Sequence, residues 1–253
     1  VDFRDYDNDG RPDLIVSALE GETFPLFHNA GKGFFFDETW ASGLGSATIK
    51  RSGWGLGLFD FNNDGFKDLL TVNAHANDQI EQLNGQTYLQ PPGVFANVGN
   101  GMFTDLSALA GDSFQRRQAR RGCAFADFNN DGWIDVVTTS LNEPAELLLN
   151  ESGPAPGTAS AETPHWLSLQ LVGKRCNRDA IGARVRLVTS EGRTQFNHVT
   201  TSVGYSSSSD GRVHFGLGRE SAVKLLEIRW PDGVTQRISE VAVDRLIKVV
   251  EPN

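Results

Sequence analysis

Three short segments of the chain carry acidic or amide side chains at every second position, a spacing typical of sites that bind a hard cation. Each segment begins with aspartate, bears side-chain oxygens at its positions 1, 3, 5 and 9, and has glycine at position 6. Calcium takes six to eight oxygen ligands, and alternate residues of a tightly curled loop can all point inward. The glycine permits the sharp turn. The spacing therefore predicts three calcium loops, about one ion in each.

The predicted ligands occupy equivalent positions in the three loops. The side-chain ligands are Asp5, Asp7, Asp9 and Asp13 around Gly10, then Asp60, Asn62, Asp64 and Asp68 around Gly65, then Asp127, Asn129, Asp131 and Asp135 around Gly132. We expect the backbone carbonyls at position 7 to add a ligand, namely those of Arg11, Phe66 and Trp133. Because asparagine replaces aspartate at position 3 of the second and third loops, these two should bind more weakly than the first.

Two other interpretations of the loops are less consistent with the sequence. An EF-hand needs glutamate at position 12 and flanking helices, but position 12 is Val16, Thr71 and Thr138, and β-rich runs follow. Solvated Asp/Asn/Gly turns would crowd carboxylates together without need, and these repel one another. The net charge of −9 is concentrated in the loops, so a cation is the natural partner.

Composition favours short strands and tight turns. The 253 residues include 27 glycines and 16 phenylalanines but one methionine, and helix-period apolar stripes are scarce. The acidic balance argues against nucleic acid as a partner. No apolar run is long enough for a membrane span. Cys123 and Cys176 offer at most one disulfide, and Cys123 lies in an apolar strand pattern, which favours a small core residue.

The loops belong to an internal repeat that predicts β-propeller blades. Each loop lies between apolar strand-like runs, and strand, glycine-rich turn, strand recurs as FHNAGKGFFFD from Phe27 and FANVGNGMFTD from Phe95. About four short strands per repeat is the content of one blade, and propellers have about four to eight blades. Because the chain begins with Val1 inside a strand pattern, we expect either the C-terminal piece of a longer propeller whose upstream blades are absent from this chain, or a propeller whose missing blades come from elsewhere.

The three segments DYDNDGRPDL, DFNNDGFKDL and DFNNDGWIDV resemble the FG-GAP or VCBS repeat, the blade unit of integrin α-subunit propellers and of many bacterial secreted proteins. The family pattern is an apolar strand, D-x-[DN]-x-D-G-x-x-D and a second apolar strand. The resemblance implies a calcium-bearing β-propeller outside the cytoplasm over residues 1–150. The third copy departs from the pattern after Leu149, so we expect its blade to be incomplete.

The remainder of the chain predicts a second unit. Residues 151–164 have the composition of a linker, and residues 165–253 show alternating strand patterns that predict a small antiparallel β-sandwich. Three stretches, NRDAIGARVRLV, GYSSSSDGRVHFGLG and LEIRWPDGVTQRI, resemble the ASPIC/UnbV domain found after VCBS repeats in cartilage acidic protein-like families. The resemblance to this domain implies little about a biochemical mechanism.

Three groups of residues invite a functional reading outside the loops. They are Ser206 to Ser209 with Asp210 and His214, then His75 with Asp78, and then Arg116, Arg117, Arg120 and Arg121. The first contains a serine, an acid and a histidine but lacks the G-x-S-x-G elbow, and the second fits a solvated loop. The arginines offer anion binding or a solvated connection.

The sequence thus predicts an extracellular, cell-surface or periplasmic calcium-binding adhesion or interaction module that binds carbohydrate or protein. Oxygen-only calcium sites of the extracellular type work at millimolar calcium, which favours that location. Enzymatic activity is left open but is the weaker prediction. The alternative is part of a secreted lyase or cyclase whose catalytic residues lie on the propeller face or in upstream blades.

Overall fold

The protein is described by a computed structural model that covers residues 1–154, 160 and 162–253. Within these residues the chain is all-β, as the sequence predicts, with eighteen short strands in five small and mostly antiparallel sheets. Two short helices and one 3-10 turn lie between strands: α1 (Leu44–Thr48), α2 (Ile80–Leu83) and Asp112–Phe114. No helix in the described part of the chain has the length and apolarity to cross a bilayer.

The first three sheets correspond to the three sequence repeats. The first sheet contains β1 (Asp2–Arg4), β2 (Asp13–Ile15), β3 (Leu26–Gly31) and β4 (Phe34–Asp37). The second contains β5 (Gly53–Phe59), β6 (Asp68–Asn73), β7 (Gly93–Asn97) and β8 (Phe103–Asp105). The third contains β9 (Arg120–Ala126), β10 (Asp135–Ser140) and β11 (Glu146–Leu148). Each is a simple antiparallel meander.

The aspartate loops connect the first two strands of each meander. In the second sheet, the antiparallel register pairs Phe59 at the end of β5 with Asp68 at the start of β6, so the loop closes directly between them. Strand β6 is buried along its whole length, which is why it reads as a continuous apolar run rather than as an alternation. Among the described residues the third sheet has three strands, and because residues 155–159 and 161 are not described, the incomplete blade expected from its sequence stays a prediction.

The C-terminal residues form two further sheets. One contains β12 (His165–Val172), β15 (Val213–Gly218) and β18 (Arg245–Val250). The other contains β13 (Arg184–Thr189), β14 (Thr194–His198), β16 (Ala222–Arg229) and β17 (Thr235–Ala242). The prediction of a purely antiparallel unit is wrong at one place, because β18 pairs with β12 in parallel. The chain crosses between the two sheets before β18, so β18 returns in the same direction as β12.

The apolar residues form three clusters that join the sheets. One cluster links the first two sheets through residues such as Phe24, Leu58 and Phe95, and another links the second and third sheets with Cys123 and Val203. The two C-terminal sheets share the largest cluster. Both cysteines are free, and Cys123 is a buried core residue as predicted.

Counted by sheets, the protein looks like a five-bladed β-propeller rather than three partial blades followed by a detached sandwich. The sequence did not predict this, because the C-terminal strands lack the aspartate repeat that marks the first three sheets. The physical continuity comes from contacts. Val203 of the C-terminal part enters the core between the second and third sheets, and C-terminal side chains bond to the aspartate loops.

Two asparagines at equivalent positions join neighbouring repeats through hydrogen bonds. The side-chain amide of Asn97, at the end of β7, donates to the carbonyls of Tyr6 and Lys67 at 3.0 and 3.2 Å. Asn150 in the third repeat donates in the same way to Phe61 and Ile134, at 2.8 and 3.2 Å. Each asparagine therefore satisfies a carbonyl in its own repeat and one in the preceding repeat.

We predict that Asn97→Ala destabilises the protein by about 2 kcal/mol, because two carbonyls lose their donor at a site that is 1% exposed. Asn29→Ala is the matched control. Asn29 occupies the same position in the first repeat, but its amide donates to Pro12 within its own repeat and it is only half-buried. Urea unfolding should show a clearly smaller loss for Asn29→Ala. Equal losses of unfolding free energy in the two variants would contradict the role of Asn97 in joining the repeats.

Candidate metal centre

The first aspartate of each loop is held by the loop's own backbone. In the second loop, Oδ1 of Asp60 accepts the N–H of Asp64 at 3.1 Å, and Oδ2 accepts the N–H of Gly65 at 2.7 Å. Asp5 and Asp127 make the same pair of bonds in their loops. The glycines have φ of 90°, 95° and 90°, a conformation that favours glycine. Position 6 therefore carries glycine because the backbone turns there.

The last aspartate of each loop joins three pieces of chain. Asp68 accepts the N–H of Phe61, from the start of the loop, at 3.0 Å and that of Asn97, from the third strand, at 2.8 Å. Asp13 and Asp135 repeat both contacts. These buried carboxylates hold the loop, the second strand and the third strand in one arrangement.

The middle positions differ between the loops. In the second loop, the amide nitrogen of Asn62 donates to Asp64 at 2.9 Å, and Asn129 donates to Asp131 in the third loop at 2.7 Å. The N–H groups of the position-7 residues donate to the position-5 carboxylates in all three loops. The ligand role of the carbonyls of Arg11, Phe66 and Trp133 stays a prediction.

The first loop gathers its acidic groups most closely. Ligand atoms of Asp5, Asp7 and Asp9 lie within 4.8 Å of one another, as do those of Asp7, Asp13 and His28. Among the described residues, no other group of three histidine, cysteine or acidic side chains meets that distance. All four predicted aspartates of the loop thus face one small region.

Sequence reasoning missed His28 in this region. Its Nδ1 lies 3.1 Å from Asp7 and 3.3 Å from Asp13, and the side chain is 23% exposed. The repeat contained a signal. His28 occupies, in FHN, the position held by Ala96 in FAN and Leu149 in LLN, so a titratable group replaces an apolar one at the strand next to the loop. A nitrogen donor therefore accompanies the oxygens of the first loop.

Burial disfavours ionisation of the loop carboxyl groups. The first and last aspartates of the loops are at most 6% exposed. Desolvation, chiefly, raises the pKa of Asp5 to about 7, of Asp13 to about 6 and of Asp68 to about 7. The pKa of Asp60, Asp127 and Asp135 is raised by the same cause, and neighbouring aspartates add to it.

These observations fit a divalent cation with oxygen ligands. The donors are carboxylates and amides, the groups that calcium prefers. A nearby cation would stabilise the charged form of buried carboxylates, whose ionisation the protein alone disfavours. Two cationic side chains of the protein already lie at the first loop. The Arg11 guanidinium pairs with the Asp9 carboxylate, whereas Lys67 Nζ donates to the Asp5 carbonyl at 2.7 Å rather than to a carboxylate. Only the acidic groups of the first loop lie within 4.8 Å of one another among the described residues, and calcium binding by the three loops stays a prediction.

The position-4 asparagines connect each loop to the next. Asn8 donates to the Gly65 carbonyl at 2.9 Å, and Asn63 donates to the Gly132 carbonyl at 3.0 Å. Both have positive φ, 63° and 57°, which asparagine tolerates better than most residues. The third member, Asn130, accepts a bond from Arg212 at 2.8 Å instead. The C-terminal part therefore contacts the third loop where the next loop would follow.

The C-terminal part covers all three loop glycines. A Cβ added at Gly10 would lie 3.3 Å from the Phe196 ring, and one at Gly132 would overlap Trp166. At Gly65 the neighbour is Arg193, which donates to the Asp64 carbonyl at 2.5 Å. The loops are thus enclosed by side chains from the C-terminal sheets and their connections.

The serine, acid and histidine group is not assembled as a catalytic unit. His214 is buried between Ser168 and Asn63, at 2.9 and 2.7 Å, and burial lowers its pKa to about 3. Ser207 and Ser209 accept backbone N–H groups from β9. These residues attach the C-terminal part to the repeats.

The other two groups are also engaged in structure. Arg116 and Arg120 both pair with Glu146, and the Arg121 guanidinium lies 4.2 Å above the centre of the Trp54 ring. His75 accepts the N–H of Asn77 at 3.0 Å, while Asp78 is exposed. Three of the four clustered arginines therefore have partners within the protein.

Comparison with known proteins agrees with the repeat and the C-terminal pattern. Residues 5–71 match the FG-GAP-like repeat model, and residues 173–253 match the ASPIC and UnbV model. The first match spans the first two aspartate loops. The third loop lies outside that match, although its first aspartate makes the same hydrogen bonds as those of the first two loops.

Curated relatives are similar over almost the whole chain. Cartilage acidic protein 1 of Mus musculus is 23% identical over 95% of this chain and 43% of the relative. The Xenopus tropicalis protein of that name is 24% identical over 97% and 44%, and the Homo sapiens protein 22% over 95% and 42%. The chain spans less than half the length of these relatives. The chain is therefore similar to cartilage acidic protein 1, with one segment that matches the FG-GAP-like repeat and a C-terminal segment that matches ASPIC and UnbV.

Proposed function

We propose that this chain is a calcium-binding interaction module, extracellular, at the cell surface or periplasmic, that binds carbohydrate or protein. One observation carries the proposal. Three equivalent loops bury carboxylates whose ionisation the protein environment disfavours, and a divalent ion would neutralise them. The ligands are the aspartates and asparagines of the three loops, joined by the position-7 carbonyls. The role of the ion is structural, because the same carboxylates hold the strands of each sheet.

The proposed location and partners are supported by the chemistry and by the relatives. Oxygen-only sites of the extracellular type have dissociation constants of roughly 0.1–1 mM, and such calcium concentrations are found outside cells. The curated relatives are named for cartilage, a tissue rich in extracellular matrix. We propose that residues 1–150 form the repeat region and residues 165–253 the ASPIC/UnbV region. The linker over residues 151–164 lies partly outside the described residues.

The binding role can be tested with immobilised glycans and matrix proteins. We expect retention in millimolar calcium and loss of retention after chelation. Turnover of a glycan without stable retention would favour the alternative, a secreted lyase or cyclase.

Removal of calcium should lower the melting temperature. At ten times the dissociation constant each site adds about 1.4 kcal/mol, so three sites add about 4 kcal/mol, or on the order of 10 °C for a chain of this size. Calorimetry with and without EDTA measures the change, and titration calorimetry should give about three ions. An unchanged melt after thorough chelation would refute a structural role.

Asp64→Ala should remove one ion and reduce the calcium-dependent rise in melting temperature by about a third. Asp179→Ala is the control, because Asp179 is an exposed aspartate outside the loops. A stoichiometry of three ions in Asp64→Ala would show that the second loop is not a site.

The first loop should bind more tightly than the others, because it has aspartate where they have Asn62 and Asn129. Asp7→Asn removes that extra charge, and we expect up to about a tenfold weaker site. Competition with a fluorescent calcium chelator measures the calcium affinity of the tightest site. If Asp7→Asn leaves the tightest affinity unchanged, His28 or another donor sets it.

The metal-free protein should become less stable as pH rises from about 4 to about 7. In this range the folded Asp5 and Asp68, with pKa about 7, hold protons that the unfolded chain has released, so raising the pH favours unfolding. Calcium should reverse the slope, because it displaces those protons. Urea midpoints at several pH values test this, with Asp68→Asn flattening the metal-free profile. A metal-free midpoint that rises between pH 4 and 7 contradicts the expectation.

A further inference from the structure

One face of a C-terminal sheet carries three arginines that form no ion pair with the described residues. In this sheet Arg184 lies opposite both His198 and Arg229, and Arg186 lies opposite both Phe196 and Glu227. Directly opposed residues share a face. The intervening Val185 and Ile228 are buried in the shared core on the other side. The three arginines therefore lie together on the face turned away from that core.

These arginines are not neutralised by the protein. None of Arg184, Arg186 and Arg229 forms an ion pair with a residue that the structure describes. The only acidic residue paired across from them on this face, Glu227, is bonded by Arg237 at 2.7 Å. Like charges directly opposite each other on a sheet are destabilising, so the register of Arg184 with Arg229 is unfavourable for folding alone.

The same face forms one wall of a groove. Its opposite wall is the first aspartate loop, with Asp5, Gly10 and Pro12, and the cavity has a volume of about 180 Å³. Both oxygens of Asp5 accept N–H groups of the loop, from Asp9 and Gly10, so this carboxylate is engaged within the loop. The cavity is smaller than a drug-sized pocket of about 300–1,000 Å³ and suits one small organic group.

The charged lining of the groove is positive on balance. It consists of three arginines against the carboxyl groups of Asp5 and Glu227. His198 lies beside Arg184, and its pKa falls to about 4 because of burial and of the charges of Arg4, Lys67 and Arg184. Histidine is therefore neutral here and adds no charge of its own. On a chain of net charge −9, this concentration of positive charge stands against the overall balance.

In the other arginine cluster, by contrast, three arginines have partners within the protein. Arg116 and Arg120 share Glu146, and Arg121 covers Trp54. The protein thus supplies partners for arginines whose role is structural. A guanidinium presents paired N–H donors that match a carboxylate or sulfate group.

We propose that the groove between Arg184, Arg186 and Arg229 and the first aspartate loop binds the carboxylate or sulfate group of a small acidic ligand of about sugar size. This names a ligand class for the binding role proposed above and rests on it. Arg184 and Arg229 hold the anionic group between them, and the ligand offsets their mutual repulsion. Arg186 contributes further positive charge from the same strand as Arg184.

The test uses glucuronate, glucose 6-sulfate, inorganic sulfate and glucose as probes, with saturation-transfer NMR and titration calorimetry on the full chain. We expect roughly millimolar dissociation constants for an acidic sugar and no saturation transfer for glucose. Glucuronate and glucose 6-sulfate separate the carboxylate source from the sulfate source, and inorganic sulfate shows whether the group suffices without the sugar. Glucose binding as tightly as both acidic sugars would overturn the proposal.

Arg184→Gln and Arg229→Gln should each weaken binding of the acidic sugar by about tenfold. Arg245→Gln is the matched control, an exposed arginine on the neighbouring sheet, and should leave binding unchanged. The melting temperature of Arg229→Gln should not fall, because the variant relieves a repulsive pair, so lost binding cannot be ascribed to unfolding. Unchanged affinity in the double variant would overturn the proposal.

Measurement in calcium and after chelation separates the two proposals. Calcium binding to the loops without anion binding would overturn the groove alone. Anion binding that depends on Arg184 and Arg229 and persists where the loops bind no calcium would support the groove and overturn the calcium role. Loss of both would overturn both.

Discussion

Buried aspartates that accept backbone N–H groups from several segments are the interaction on which this structure depends. Asp68 holds the start of its loop and the third strand at once, and Asp13 and Asp135 do the same in their repeats. Replacing these bonds by water would separate the loop from the sheet. The cost is that negative charge is buried, and burial raises the pKa of each of these carboxyl groups. This burial of negative charge is the reason for the cation that we propose, because a cation would stabilise the charged carboxylates while they keep their bonds to the N–H groups.

The loops also form the surface on which the rest of the molecule assembles. Asn8 and Asn63 link each loop to the following one, and the C-terminal part continues that series by placing Arg212 on Asn130. Because Trp166, Arg193 and Phe196 lie against the loop glycines, a change in loop structure must be felt by the C-terminal sheets. The aspartate loops and the C-terminal sheets are therefore in direct contact.

The two groups of arginines differ in whether other residues of the protein pair with their charges. Those near the start of β9 are used for internal pairing and for contact with an aromatic ring. Those on the outer face of β13 and β16 have no such partners among the described residues. The sequence favoured the first group, since four arginines within six positions are conspicuous. The second group is dispersed along the chain and is brought together only by strand pairing.

The sequence by itself determined the all-β class, the three aspartate loops and most C-terminal strands. These features depend on local spacing, that is, on alternation along strands and on side-chain oxygens around a glycine turn. Only the tertiary structure decided the parallel pairing of β18 with β12, the approach of His28 to the first loop and the packing of the C-terminal sheets against the loops. Each of these joins residues far apart in the chain, and local patterns contain no information on which distant strand edge or loop a segment will contact.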